Sequence, residues 1–281
     1  GLTTGGENVA VGYGALFTDD LGSHNVAVGV SALQNQNFAT ATDSHNTAVG
    51  FSAGLSVTTG VQNTFVGGLA GDADTQGKGT TAIGYNALTA QNLTSDLSSF
   101  NVAVGHNAGL SNTTGTENVL IGADAGRSQQ DVDGNVAIGY ASMYSNTNGD
   151  KNVAVGRGTL VAMNYGSATD GFNVAIGYDA GNDITTGTNN TLIGGLAGDA
   201  LTTGQENTVV GRSALTAEVA GRYSTAIGNA TLAAQTNATG ADVYNTAVGY
   251  GAGTAVTTGT GNTILGGLAG LTLTTGDDNV L

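Results

Sequence analysis

A nine-residue stretch, 245–253, recurs with small changes along the whole chain. We call its first residue, Asn245, position 0, and successive equivalents of it are separated by 17 or 21 residues. Position +4 is glycine in every repeat that reaches it, and position +3 is Val or Ile in all but one, where it is Leu265. A period this strict indicates an array of near-identical units, each packed on its neighbours.

Each repeat contains two short extended segments. Positions +1 to +3 hold Val or Thr, usually Ala, and then Val or Ile, and the glycine at +4 ends this strand. A second segment starts with Ala at +7, and Thr-Thr-Gly closes many repeats, as in 257–259. Frequent glycine and clustered β-branched residues oppose a helix. A three-sided coil and discrete β-hairpins fit less well, because identical positions in successive repeats favour stacking between repeats.

The pattern therefore predicts an all-β fold, a parallel β-solenoid (β-roll) of about 15 coils, with repeats of 17 or 21 residues. We expect residues 1–281 to form a single continuous repeat domain, a fragment of a longer fibre protein.

Position 0 is asparagine in most repeats. Coils stacked about 4.8 Å apart would place each Asn over the next, so the side-chain amides can form a hydrogen-bonded ladder. The simpler alternative is that each Asn starts a turn, and both can hold. The predicted structural ladder consists of Asn8, Asn25, Asn46, Asn63, Asn101, Asn118, Asn135, Asn152, Asn173, Asn190, Asn207, Asn245 and Asn262.

The two faces of the strand receive different predictions. We expect the side chains at +1 and +3, such as Val102 with Val104 and Val174 with Ile176, to point into the coil. The file of residues at +2 would then form an apolar stripe that soluble monomers seldom expose, which predicts a subunit interface. These interface residues are Ala48, Phe65, Ala82, Ala103, Leu120, Ala137, Ala154, Ala175, Leu192, Val209, Ala226, Ala247 and Ile264.

Four coils carry four extra residues before the next repeat, within 34–45, 89–100, 161–172 and 233–244. We expect these segments to bulge outward without disturbing the stack. Because loops carry variation on a repeated scaffold, the bulges are also the best candidates for lateral contacts.

Composition excludes several classes of protein. The 48 glycines have no collagen-like period and proline is absent, so the chain is not a triple helix. The net charge is −15, with only six scattered Lys and Arg, which argues against nucleic-acid binding. No apolar run reaches the length of a membrane span. Cysteine is absent, which fits an exported protein stabilised without disulfides.

No constellation of catalytic residues is evident, so we expect no enzymatic activity. The three histidines are not clustered with acids, and the Gly-Gly-Leu-Ala-Gly stretches recur as structural corners rather than as a phosphate loop. We expect no cofactor. Acid-containing turns, at 19–20, 72–74, 131–133 and 277–278, leave calcium as an alternative. Aromatic residues at +5 cover a turn or offer a contact patch; they are Tyr13, Phe51, Tyr85, Tyr140, Tyr178 and Tyr250.

Several repeats resemble those of a known family. Asn-Val-Ala-Val-Gly at 8–12, 101–105 and 152–156, Asn-Val-Ala-Ile-Gly at 135–139 and 173–177, and Thr-Thr-Ala-Ile-Gly at 80–84 resemble the head repeats of YadA-like trimeric autotransporter adhesins. The form Asn-Thr-Ala-Val-Gly-Tyr followed by Thr-Thr-Gly resembles repeats of tail-fibre-like proteins. The resemblance covers essentially the whole chain, although the coils are longer than the usual unit of the adhesin family. It implies a left-handed β-roll, three identical chains side by side and a place on the surface of Gram-negative bacteria.

Repeat pattern and resemblance together predict a structural rod of an extracellular attachment fibre on a cell or virion surface. Its expected partners are two further copies of itself, as a homotrimer, and a surface receptor or glycan of unknown identity. A phage tail-fibre shaft is the first alternative. An ice-binding solenoid is an alternative of a different class, since regular Thr ranks can match a flat lattice. A polysaccharide lyase-like β-helix is the weakest, because no site is apparent.

Overall fold

The structure is a computed structural model that describes residues 5–95, 97–237 and 239–281. Its contacts divide the chain into two compact units, Gly1–Asn135 and Val136–Leu281. Every described strand pair is parallel, and the described residues form strands, turns and bends but no helix. Accordingly, none of the described residues lies in a helix long and apolar enough to cross a membrane.

The first unit contains one three-residue strand per coil, each paired in register with the strand of the next coil. The second extended segment predicted from +7 was wrong, because those residues lie in turns. In one such pair Val102 lies opposite Val119, Ala103 opposite Leu120, and Val104 opposite Ile121. Its strands are β1 (Val9–Val11), β2 (Gly22–Ser23), β3 (Val26–Val28), β4 (Thr42–Asp43), β5 (Thr47–Val49), β6 (Thr64–Val66), β7 (Thr81–Ile83), β8 (Val102–Val104) and β9 (Val119–Ile121).

The second unit repeats this arrangement, again with each coil's main strand paired in parallel to that of the next. Its strands are β10 (Val136–Ile138), β11 (Gly149–Asp150), β12 (Val153–Val155), β13 (Thr169–Asp170), β14 (Val174–Ile176), β15 (Thr191–Ile193), β16 (Thr208–Val210), β17 (Thr225–Ile227), β18 (Thr246–Val248) and β19 (Thr263–Leu265). The predicted all-β parallel solenoid of 17- and 21-residue coils is thus confirmed. Handedness, trimeric state and a single continuous domain remain predictions.

The orientation predicted for the main strand was wrong. Ala103 and Ala175 are fully buried inside the coil, whereas Val102, Val104 and Ile176 face outward. The middle residue is buried in every three-residue strand except β1. Because neighbouring side chains of a strand alternate between faces, a single inward residue per strand leaves both of its neighbours outside.

The interface assignment changes with this orientation. The side chains from Ala48 to Ile264 that were assigned to a subunit interface are 0–1% exposed within one chain, so they form its core and cannot contact another subunit. The corrected residues are Ala48, Phe65, Ala82, Ala103, Leu120, Ala137, Ala154, Ala175, Leu192, Val209, Ala226, Ala247 and Ile264.

Large residues at +2 are accommodated by glycine at +8. A Cβ added to Gly109 would lie 2.8 Å from Leu120 Cδ1, and one added to Gly126 would lie 2.7 Å from Leu120 Cδ2. In the remaining coils +8 is leucine, or methionine at Met143, and Leu88 has φ +50°, close to the +57° of Gly126. Glycine at +8 therefore provides space rather than a special backbone conformation. Each large +2 residue lies between two +8 glycines, one from its own coil and one from the preceding coil. These +2 residues are Phe65, Leu120, Leu192 and Ile264.

Glycine at +4 meets two requirements at once. Its φ lies between +124° and +142° in every coil, a region that L-residues avoid. A Cβ on Gly105 would also lie 2.6 Å from the carbonyl oxygen of Gly122 in the next coil. A side chain at +4 would therefore collide with the backbone of the next coil, except at Gly266, where a Cβ meets no atom closer than 4.0 Å.

The longer coils behave as predicted in the described residues. In the coil that starts at Asn25, strand β4 pairs with β2, so that Thr42 lies opposite Gly22, and the main strands β3 and β5 on either side remain paired. The inserted residues 39–41 are exposed. Strands β11 and β13 pair in the same way in the second unit. Asp96 and Ala238, within two of the predicted bulges, lie outside the described residues.

Candidate interaction surfaces

The asparagines at position 0 form a buried ladder whose rungs mainly join side chain to backbone. The Oδ1 of Asn101 accepts the backbone N–H of Asn118 at 2.8 Å, and the Oδ1 of Asn118 accepts that of Asn135 at 2.9 Å. The side-chain N–H of Asn118 donates to the carbonyl of Val132 at the end of its own coil. Amide-to-amide bonds of the predicted kind occur as well, for example from Asn190 Nδ2 to Asn173 Oδ1 at 3.1 Å. The ladder is a structural element, since almost all of it is buried.

Polar side chains at position +11 form a second buried column beside the longer coils. Asp74 accepts hydrogen bonds from the backbone N–H groups of Gly77 and Leu93 and from Gln91 Nε2. Burial raises the pKa of the Asp74 carboxyl, and these hydrogen bonds oppose that effect. The carboxylate thus anchors the start of the bulge in the following coil. Asp19 with Gln36 and Glu218 with Gln235 repeat the pairing.

The outward positions +1 and +3 of the main strands together form a surface that we call the outer strip. The strip has seven strands in the first unit and eight in the second, and its residues are half-buried or exposed. All thirty of its positions are Val, Ile, Leu or Thr. None of the 27 charged Asp, Glu, Lys and Arg residues lies on it. Sequence reasoning missed the strip because it placed these β-branched residues in the core.

Aromatic residues at +5 border the outer strip at the end of each strand's turn. All six are more than half exposed, with Tyr13 the most accessible at 86%. The guanidinium of Arg157 lies between the rings of Tyr140 and Tyr178, 5.7 and 5.3 Å from their centroids, and donates to the Tyr178 hydroxyl at 2.9 Å. These aromatic rings are therefore available for contact and partly ordered by stacking.

Among the described residues, the longer coils that start at Asn25, Asn152 and Ser224 carry a mixed patch, which we call a bulge patch, just before the following main strand. In one of them Arg222 Nη2 lies 2.7 Å from Asp242 Oδ1, and the rings of Tyr223 and Tyr244 stack at 5.1 Å and 5°. In another, Lys151 lies 2.7 Å from Asp170 Oδ2 and 5.6 Å from the centroid of Phe172. These contacts hold the bulge against the preceding coil and leave an aromatic ring about half exposed.

The first bulge patch contains two of the histidines, and for His24 the expectation of no clustering with acids was wrong. The imidazole of His24 lies between the carboxylates of Glu7 and Asp43, at 3.0 and 3.1 Å, and stacks on His45 with a centroid distance of 4.9 Å. The third, His106, stacks on Tyr85 instead.

The acids considered for calcium are mostly engaged one by one with a neighbouring coil. Asp72 accepts a hydrogen bond from Thr89, Asp133 from Thr116, and Asp277 from Thr260. Among the described residues, no group of three or more His, Asp or Glu side chains is arranged to hold a metal ion.

Comparison of the chain with protein-family models, with curated proteins and with solved structures finds no match. The likeness to adhesin and tail-fibre repeats therefore rests on the quoted repeat motifs alone.

Proposed function

We propose that this chain is a non-catalytic structural segment of an extracellular attachment fibre, carried on a cell or virion surface. The observation that supports this proposal best is the continuity of bonding from coil to coil. Each main strand pairs with the next, and the buried asparagines add a second set of bonds along the same direction. Such a stack can hold a terminal or lateral contact site at a fixed distance from its base. In this proposal the +5 aromatics and the bulge patches meet the receptor or glycan.

A deletion of whole coils tests the spacer role. Residues 173–244 comprise 72 residues, or four coils. Their removal joins Phe172 to Asn245, and the repeat register is kept because Phe172 and Tyr244 occupy equivalent positions, each directly before an Asn at position 0. We would display a small binding module on the end of the chain and measure its reach above a cell surface. The shortened chain should fold and lose about 19 Å of reach, four coil spacings.

The matched control removes residues 181–244, which breaks the register by part of a coil. This variant should lose its β-sheet circular dichroism and become sensitive to protease. An unfolded 173–244 deletion, or an unchanged reach, would contradict the spacer role.

A tail-fibre shaft has the same physical requirements, so the test applies equally to it. One observation favours ice binding as a second candidate. Five consecutive strands of the second unit carry an outward threonine at +1, in register from Thr191 through Thr208 to Thr263. These +1 threonines are different residues from the Thr-Thr pairs at the ends of the repeats, which the sequence interpretation had considered. Ice recrystallisation in the presence of the wild-type chain would test it.

A further inference from the structure

We propose that a cleft at position +5 of the second unit binds a saccharide that carries a carboxylate, such as a uronic acid. Three successive coils form this cleft, which we call the Gly195 cleft: its walls are the side chains of Tyr178 and Arg212, and its floor is Gly195. The proposal rests on the proposed function as an attachment fibre, and it specifies the chemical class of the glycan and the residues that recognise it.

The glycine on the floor of the cleft is not required by the fold. Gly195 does not have a positive φ. A Cβ added to it would come no closer than 3.8 Å to another part of the chain, the carbonyl oxygen of Tyr178. Other coils carry Val30, Phe51 or Asn229 at the same position. Unlike the glycines at +4 and +8, Gly195 therefore has no conformational or packing role, and its effect is to leave open surface between its two neighbours.

The walls of the cleft are held two coil spacings apart. The backbone bonding continues here beyond the main strand, because the N–H of Leu196 donates to the carbonyl of Tyr178 at 2.9 Å and the N–H of Ser213 to that of Gly195 at 3.0 Å. The Cα atoms of residues 178 and 212 are therefore about 9.6 Å apart. Carbon atoms pack about 3.5–4.0 Å apart, so a puckered sugar ring, which is thicker than a flat aromatic ring, fits this separation better.

The Tyr178 ring presents one face to the cleft in a fixed orientation. The guanidinium of Arg157 lies over the other face, 5.3 Å from the centroid, and donates to the Tyr178 hydroxyl at 2.9 Å. Arg157 belongs to the preceding coil, so the uncovered face is directed toward the coil of Gly195. The negatively charged face of an aromatic ring attracts the C–H groups of a sugar ring, and a ring that is already ordered loses little entropy on binding.

Arg212 supplies a positive charge that the chain itself does not neutralise. Its exposed guanidinium makes no ion pair, hydrogen bond or ring contact with any residue that the structure describes. The other basic residues of the second unit each lie beside an acid: Lys151 beside Asp170, Arg157 beside Asp179, and Arg222 beside Asp242. In a chain of net charge −15, Arg212 is thus available to a carboxylate from outside, which a guanidinium can bind through two hydrogen bonds.

The acids nearest to the cleft in the sequence are engaged elsewhere. The carboxylate of Asp179 lies against Gly158 of the preceding coil, on the side away from Gly195. Asp199 accepts a hydrogen bond from Thr216 of the following coil. An incoming carboxylate therefore meets the cation of the cleft wall without displacing an acid from it.

The first unit contains a similar cleft without the cation. Gly68 lies at +5 between Phe51 and Tyr85, and it too does not have a positive φ. The Tyr85 ring is stacked against His106 of the following coil, with centroids 5.8 Å apart. This second cleft, the Gly68 cleft, has two aromatic walls and is not part of the proposed site, so it provides a matched control within the same chain.

The experiment measures binding of the soluble full chain to oligosaccharides of galacturonate, glucuronate and mannuronate, each paired with its methyl ester. The ester keeps the sugar ring and removes the charge. At least one acid should bind with a Kd below about 1 mM, and its ester at least about tenfold more weakly. Oligoglutamate of the same charge, which has no sugar ring, should not compete. If no acid binds more tightly than its ester, or if oligoglutamate competes equally, the proposal is wrong.

Substitutions locate the binding. Gly195→Val fills the cleft with the side chain that Val30 carries at the same position, and it should weaken binding of the acid at least about tenfold. The matched control Gly68→Val makes the same change in the Gly68 cleft and should leave binding of the acid within about twofold. Arg212→Gln should retain binding of the ester and remove the preference for the acid.

Circular dichroism of each variant verifies that the fold is intact. Arg212 is exposed, so Arg212→Gln decides the outcome even if Gly195→Val does not fold. Equal losses in the two glycine variants, or an unchanged preference for the acid in Arg212→Gln, would overturn the proposal. The spacer role is judged separately, by the dependence of reach on coil number, which requires no saccharide.

Discussion

Asn112 is a fully buried amide whose Nδ2 and Oδ1 both lack a hydrogen-bond partner among the described residues. Equivalent positions in two other coils hold Val57 and Val256, both buried. Leaving such an amide unsatisfied costs about 1–3 kcal/mol. Since valine occupies the equivalent position in two other coils, we expect position 112 to accept valine as well.

We predict that Asn112→Val raises the free energy of unfolding by about 1–3 kcal/mol, measured by urea denaturation. Asn118→Val is the control, because the Asn118 side chain makes two hydrogen bonds in the ladder and its replacement should lower the free energy of unfolding. Equal effects of the two substitutions would contradict the assignment of Asn112 as unsatisfied.

Asp74 makes stability depend on pH. Burial raises the pKa of this carboxyl in the folded chain above the value of 3.8 for an ordinary aspartate. Ionisation therefore costs more in the folded chain than in the unfolded chain, and this cost disappears as pH falls through the folded-state pKa. The free energy of unfolding of the wild type, relative to Asp74→Asn, should rise as pH is lowered from about 7 to about 4. A difference that stays constant with pH would show that Asp74 does not titrate in this way.

At the scale of the coil, the residues at +2 and +8 are matched in size. Leu120→Ala alone removes a buried side chain from between Gly109 and Gly126 and should cost about 2–5 kcal/mol. Adding Gly126→Leu converts the coil to the common form, with Ala at +2 and Leu at +8, as in Ala82 and Leu88. We expect the double variant to recover at least half of that loss in urea denaturation.

The single variant Gly126→Leu completes a double-mutant cycle with Leu120→Ala. It should be destabilising, because its Cβ would lie 2.7 Å from Leu120 Cδ2. If the effects of the two substitutions simply add, the two positions are not coupled and the proposed size matching is wrong.

The coil and its stacking could be predicted from the sequence, because glycine at +4 and asparagine at 0 repeat at fixed spacings. The outward bulges of the longer coils also followed from that spacing. Which face of the strand is buried did not follow from the sequence. Val and Ile at +1 and +3 are more hydrophobic than Ala at +2, so burial preference alone selects the wrong face. Both orientations satisfy the alternation of a strand, and only the folded coil shows that the +2 residues are the buried ones.

The buried pairing of Asp74 with Gln91 could not be predicted for a related reason. The two residues are 17 positions apart and meet only because coils stack. The sequence interpretation considered Asp74 as a turn acid, and its place in the core depends on the position of +11 in the folded coil.

For the whole molecule, a net charge of −15 sets the response to salt. If copies of the chain associate as the repeat resemblance implies, the repulsion between them comes from acids on the surface, which salt screens. The association constant should therefore increase between about 20 and about 200 mM NaCl, where the Debye length falls from roughly 20 Å to below 10 Å. Sedimentation of the wild type at several salt concentrations measures this. Weaker association at higher salt would indicate that ion pairs hold the copies together.

The ladder of asparagines is interrupted at Thr80 and Ser224, and the first interruption has a consequence for hydrogen exchange. Thr80 occupies position 0, and its shorter side chain leaves the N–H of Asn101 to donate to Ser99 Oγ at 3.4 Å, against 2.8 Å for the N–H of Asn118 to Asn101. The coil that starts at Asn25 shows the uninterrupted form, in which Asn25 Oδ1 accepts the N–H of Asn46 at 3.0 Å.

A weaker bond opens more often, so the amide proton of Asn101 should exchange with deuterium faster than that of Asn118. Thr80→Asn should slow exchange at Asn101 and leave Asn118 unchanged, as followed by NMR. Equal rates in the wild type would mean that the substitution at Thr80 has no effect on local opening. The rate of local opening at Asn101 is therefore set by the side chain at residue 80, and a single substitution there should lower it.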